Sequence, residues 1–387
     1  MRLHDKETQL KKKILAALPL ALAAAGAHAQ SSVTLYGLID LGVDYASNVA
    51  NGANGQLVPG TGSKLVQMQS GVPAGSRWGL RGTEDLGGGY SAIFRLESGF
   101  NAATGGLGGG LAFSRNAYVG FKSDQYGQVT FGKQWDATVD LIEPYSLNGN
   151  YGGWYFAHPN DMDNLDNGFP VNNAVKYVSP VLAGFQFEGH YSFGGQAGQF
   201  SNNASYSAAA AYTLGSFSAG VGYLRVNDPI TAVAGYGSGG SFVNSVFGDA
   251  LANARYQGIL SAGASYVIGS LKLMTNYSNV DFASATGSGD LHFQNFEVAG
   301  TYAVTPAFTV GAGYTYTVGQ DHATDGSPKY HQVNLIGQYA ISKRTSVYAM
   351  GVYQHAAGSA DNAQITGFNP SGTDNQAVAR VGITHAF

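Results

Sequence analysis

Val33-Thr34-Leu35-Tyr36-Gly37-Leu38-Ile39-Asp40-Leu41-Gly42-Val43 puts Val33, Leu35, Ile39, Leu41 and Val43 on one face, and Thr34, Asp40 and Asp44 on the other. Successive side chains of a strand point to opposite faces, so this two-residue period predicts a strand with one greasy and one wet side. On a helix of 3.6 residues per turn the same residues would scatter around the axis.

About sixteen such runs follow along the chain, from 33–46 through 65–82, 90–101, 112–122 and 128–135 to 376–387. Every second connection is short and built from turn residues, as at 83–89, 123–127, 215–216, 269 and 305–306. The alternate connections are long, as at 136–172, 228–255 and 357–375. Short turns on one rim and long loops on the other are how an up-and-down membrane barrel presents its two ends. The predicted fold class is therefore all-β, a 16-stranded antiparallel transmembrane β-barrel.

Composition agrees. Charged residues make up 11% of the 387, against about 25% in ordinary soluble domains. Mean hydropathy of −0.07 is too low for a bundle of spanning helices. The absence of cysteine fits export. A net charge of −4 with no basic run after residue 29 leaves nucleic-acid binding without an electrostatic footprint.

Residues 1–29 read as a cleaved signal peptide: Lys11, Lys12 and Lys13, then the short apolar run Ile14 to Ala25, then Ala27-His28-Ala29 before the cut. The barrel domain is then 30–387, with 15 Lys+Arg against 22 Asp+Glu and so an acidic balance.

The last run sets Ala379, Val381, Ile383, His385 and Phe387 on one face and Arg380, Gly382 and Thr384 on the other. A strand ending on Phe387 places a ring in the interfacial girdle and leaves an apolar strand end for outer-membrane assembly machinery to grip. An even strand count puts both chain ends on the periplasmic side, so this strand is predicted to close against Val33 to Val43.

Four stretches carry a resemblance to the trimeric general porins of Gram-negative bacteria, the betaproteobacterial type. They are Ser31 to Gly37 (SSVTLYG), Ser76 to Gly89 (SRWGLRGTEDLGGG), Val171-Asn172-Asn173 with Lys176-Tyr177, and Val381 to Phe387 (VGITHAF). The resemblance implies a homotrimer in outer-membrane lipid and lipopolysaccharide. It also implies passive diffusion of ions and small hydrophilic solutes, with no cofactor. Finally, it implies that 136–172 folds into the pore as a constriction, with basic wall residues facing acids on that loop.

Residue by residue, alternation turns Arg77, Gly79 and Arg81 inward beside the outward Trp78 and Leu80, and turns Arg95 and Glu97 inward on the next strand. A charge on the lipid face costs about 2–4 kcal/mol at the midplane, which favours the inward assignment. Arg77 and Lys133 stand at wall positions of the family, and Arg115 where a basic residue is common. Simple alternation with Ala117 and Val119 turns Arg115 outward, so a pore role for it needs a bulge. Pro170 stands where many relatives carry a basic residue, which weakens the positive side. The acidic side is expected from Asp140, Glu143, Asp161, Asp163 and Asp166, with Tyr151, Trp154, Tyr155 and Phe156 pinning the loop. The resulting expectation is a weak anion preference or little selectivity.

Other chemistries find less support. Asn160 to Gly168 is rich in oxygen ligands but lacks the regular spacing and closing Glu of a calcium loop. Gly105 to Gly110 precedes no helix that would receive a phosphate, the histidines show no paired metal spacing, and no Gly-x-Ser-x-Gly elbow is present. The protein therefore reads as a channel and not an enzyme. The alternatives, an outer-membrane barrel enzyme or a Gly-rich surface adhesin, call for a rim triad or a fixed short repeat. Small outward residues such as Gly37 would permit close packing between subunits.

Overall fold

The computed structural model describes residues 32–50, 60–237, 247, 251–286 and 289–387. The leader expected at 1–29 lies outside the described residues. Among the described residues, seventeen strand segments occur in one sheet. They are β1 (Ser32–Val49), β2 (Ser63–Ser70), β3 (Arg77–Gly87), β4 (Tyr90–Gly99), β5 (Asn116–Ser123), β6 (Gly127–Gln134), β7 (Val171–Val178), β8 (Phe185–Ser192) and β9 (Ser205–Leu214). The rest are β10 (Phe217–Asn227), β11 (Ala254–Ile268), β12 (Leu271–Ser284), β13 (Leu291–Thr305), β14 (Phe308–Asp321), β15 (Pro328–Ala340), β16 (Thr345–Gly358) and β17 (Asn375–Ala386).

These segments make sixteen staves, because β2 and β3 both pair with β1 and form one interrupted strand. The run expected at 65–82 is broken at 71–76 for local reasons. Gly71 takes φ +79°, Pro73 has no N–H to give a ladder, and the Val72 N–H donates to Asp40 Oδ2 at 2.7 Å. The segment leaves the sheet for the lumen.

All pairings are antiparallel, and β17 closes on β1 in the register Leu38↔Ala386 to Ala46↔Val378. Phe387 extends that seam with two backbone hydrogen bonds to Gly37, both 3.0 Å. A Cβ on Gly37 would strike the Phe387 ring, so the space expected to serve subunit packing is filled by the chain's own end.

The alternation inverts that of a soluble protein. Val33 is 64% exposed on the outside, whereas Asp40 is 0% exposed on the inside. Exposed aromatics form two belts: Phe217, Tyr266, Tyr302 and Tyr339 near the short turns, and Tyr206, Tyr223 and Tyr353 near the long loops. That is the pattern of a sheet with hydrocarbon outside, interfacial rings at both levels and water within.

Candidate functional site: the constriction inside the barrel

The loop between β6 and β7 runs along the inner wall rather than over the rim. Asp136 starts it by capping the short helix Ala137–Leu141, accepting from the Thr138 and Val139 N–H groups at 2.8 and 3.3 Å. The Leu147 N–H then donates to Glu297 Oε1 on β13 at 2.8 Å. Further on, the Trp154 N–H donates to the Val72 carbonyl at 3.3 Å, where the broken strand bends inward. Gly153 makes that approach possible: it sits at φ +54°, and a Cβ there would overlap the Val72 carbonyl.

Three anchors fix the loop to charged wall residues. The Tyr155 hydroxyl bonds Asp44 Oδ2 and Gln69 Oε1, both at 2.8 Å. Asp44 in turn shares Arg380 with Asp40 at 2.6 and 3.1 Å, all three fully buried. His158 lies between Asp163 at 2.6 Å and Glu297 at 3.0 Å. Burial would lower the pKa of this imidazole, but the Asp163 and Glu297 carboxylates on either side push it up to about 10. Lys176 on β7 meets both Asp140 of the loop and Glu188 of β8.

Opposite the loop, β3–β5 carry the arginines. Arg81 and Arg95 are paired across β3 and β4, with Glu97 facing Gly79 and Gly99 facing Arg77 one rung further on each. All share the inner face with Tyr36, which is paired with Gly79. Glu97 holds Arg95 at 2.5 Å, Arg115 at 2.8 Å and the Tyr36 hydroxyl at 2.8 Å. The Arg81 guanidinium sits 5.3 Å from the Tyr36 ring centroid. Arg115 precedes β5, which starts at Asn116, so it is released from the alternation that would have turned it outward; no bulge is required. Arg77 makes no ion pair among the described residues.

Between the two sides lies a gap of about 390 Å³ lined by Arg77, Arg115, Glu143, Trp154, Asp166 and Asn167. Burial raises the pKa of Glu143 to about 8, and the charges of Asp140 and Asp136 add to the rise, while the hydrogen bond from Asn167 Nδ2 at 3.0 Å and the charge of Arg115 oppose it. Asp161 and Asp166 are likewise pushed well above the usual carboxylate range, by burial and by their own and neighbouring negative charge. Arg115 is the cation that both Glu143 and Asp166 feel.

The ten candidate side chains thus separate. Arg77, Arg115, Glu143 and Asp166 meet at the gap. Arg81 and Arg95 line the lumen on its short-turn side, and Asp161 is buried behind Asp166, accepting from its N–H at 2.9 Å. Asp140 and Asp163 point at the wall. Lys133 does not join the arginines: its Nζ donates to Asn172 Oδ1 at 2.9 Å and to the Tyr236 carbonyl, under the helix Pro229–Gly235. No group of three metal-ligating side chains suited to a metal ion occurs among the described residues, Asn160 to Gly168 included.

Sequence reasoning missed His158, Glu297, Tyr36 and the Arg380 bridge. An inward-facing arginine on the same face as two acids of the neighbouring stave was a usable signal for the last.

A family model described as Gram-negative porin matches residues 15–359. An outer-membrane porin protein of Bordetella pertussis is 32% identical over 373 residues, covering 89% of this chain and 94% of its own. Outer membrane porin protein 32 of Delftia acidovorans is 29% identical, covering 97% and 100%. Among solved structures, an anion-selective porin from Comamonas acidovorans superposes with a TM-score of 0.70 at 25% identity, covering 92% of this chain and 100% of its own.

Proposed function

The chain belongs to the Gram-negative porin family, and on that premise we propose that its channel has a weak anion preference, set by arginines of β3–β5 facing the buried acids of the 136–172 loop. It is an outer-membrane β-barrel of a Gram-negative bacterium and forms a water-filled path for passive diffusion of ions and small hydrophilic solutes.

The observation that carries the selectivity is the imbalance across the gap. Arg77 and Arg115 stand on one side, while burial raises the pKa of Glu143, Asp161 and Asp166 on the other and so disfavours their charged forms. Glu97 offsets one of the four guanidinium charges. The transverse field that remains favours anions and orients dipolar solutes, and it repels apolar ones that cannot replace their hydration. Selectivity stays weak because the barrel as a whole is acidic. The solved structure named as an anion-selective porin supports the same sign.

We also assign residues 1–29 as a leader removed on export, Phe387 as the strand end that assembly machinery grips, and a homotrimer in lipopolysaccharide-containing lipid as the working form. Catalysis has no part in this reading. Purified protein in a planar bilayer tests it: stepwise ion conductance with an anion-leaning reversal potential is expected, and the absence of conducting steps would refute it.

A further inference from the structure

On the outside of the barrel, at the ends of β9–β11 next to the long loops, two arginines stand where hydrocarbon gives way to headgroups. Arg225 shares the outward face of β10 with Val221 and Tyr223. Its guanidinium lies 3.8 Å from the Tyr256 ring centroid, and its Nε donates to Asn227 Oδ1 at 3.0 Å. The register shift between Ala254 and Tyr256 leaves Arg255 exposed, 5.5 Å from the same ring. Tyr206 is paired directly opposite Arg225.

Neither arginine has a carboxylate partner among the described residues, and the nearby Asp228 accepts from the Asn203 N–H at 3.1 Å. Elsewhere on this rim two outward histidines face carboxylates, His292 with Asp281 at 2.6 Å and His355 with Asp374 at 3.8 Å, while Lys329 on β15 makes no ion pair among the described residues and has no arginine beside it. Toward the membrane centre the surface turns apolar and smooth, with Val221 and Leu260 flanked by Ala208, Ala210 and Gly258.

We propose that Arg225 and Arg255 form a docking site for the phosphorylated headgroup of outer-leaflet lipopolysaccharide, with an acyl chain lying along Val221 and Leu260. This rests on the lipopolysaccharide contact proposed above and on the long loops facing outward. A cation on the lipid side is tolerated only near the headgroup level, and there an anionic lipid supplies the missing partner. Stacking on Tyr256 holds the Arg225 fork in place, which suits bidentate phosphate contact. Tyr206 and Tyr223 bring hydroxyls to the same level.

The test is lipid retention by the purified full-length barrel, read by native mass spectrometry with lipopolysaccharide and with its dephosphorylated form. Arg225→Gln and Arg255→Gln are expected to weaken retention about fivefold each, from the attraction of one cation to an anionic surface. The dephosphorylated lipid should bind wild type no better than the phosphorylated lipid binds the double variant. Unchanged retention in the double variant overturns the proposal. So does displacement of the lipid by excess inorganic phosphate alone, which would mark a simple ion site. Conductance steps retained by the variants show an intact barrel, and Arg255→Gln alone, at an exposed bulge, serves if the double variant does not fold. If wild type itself gave no channel steps, the porin reading would fail and not the lipid site.

Discussion

The hydroxyl of Tyr155, midway along the constricting loop, donates to the Asp44 carboxylate of the first strand at 2.8 Å. Asp44 is held by Arg380 of the last strand, so the loop is tied to the seam where the barrel closes. A buried hydrogen bond to a charged group contributes about 1.5–3 kcal/mol. Tyr155→Phe should therefore leave the barrel folded but loosen the loop, seen as more frequent brief closures in single-channel records. Records as quiet as wild type would show that the tie does not hold the loop.

His158 is the second tie. Its raised pKa means that its stabilising charge is fully present below the ordinary histidine value near 6.5 and is lost as pH rises toward about 10. His158→Gln removes the cation from between Asp163 and Glu297, and breaking a buried pair in this way costs about 3–5 kcal/mol. Amide exchange over Ala157 to Asn164 should speed up strongly in the variant while the strands stay protected. Unchanged protection of that segment would contradict the assignment.

Glu143 gives the channel a pH dependence. It is surrounded by Asp136, Asp140, Arg115 and Asn167, with Asp166 beside it on the loop side of the gap. Below about pH 8 it is protonated and the gap is net positive; above that it ionises and offsets the arginines. The anion preference should therefore be greatest on the acid side and decline as pH rises through about 8, and Glu143→Gln should flatten the decline. A preference that grows with pH would refute the sign.

Glu97 and Lys133 form a contrasting pair. Glu97→Gln removes the anion that holds Arg95 and Arg115, so reversal potentials should move further toward anions. Lys133→Met should change selectivity far less, because its ammonium is engaged by Asn172 and Tyr236 away from the gap. An equal or larger shift for Lys133→Met would place that lysine back on the conducting path.

Much of the architecture was legible because a period of two survives translation into burial. The run around Asp40, the ends of β9 and β10 and the inward Arg77 fell where alternation put them. The break at 71–76 was not legible, because what bends it inward is a distant carboxylate, Asp40, and the loop that docks on Val72. Arg115 was misdirected by alternation for the opposite reason: its strand starts at Asn116, four residues later than the run at 112–122 suggested. The acids of the loop could be named but not sorted, since nothing local distinguishes Asp163, turned to His158 and Ser278, from Asp166, turned to the gap.

The most direct measurement is the reversal potential in a KCl gradient for wild type and Arg77→Ala. Arg77 lines the gap without an ion pair among the described residues, so its charge is the one most available to permeating ions. A shift toward cations in the variant is the predicted result. An unchanged reversal potential would contradict the account of a basic wall facing the loop.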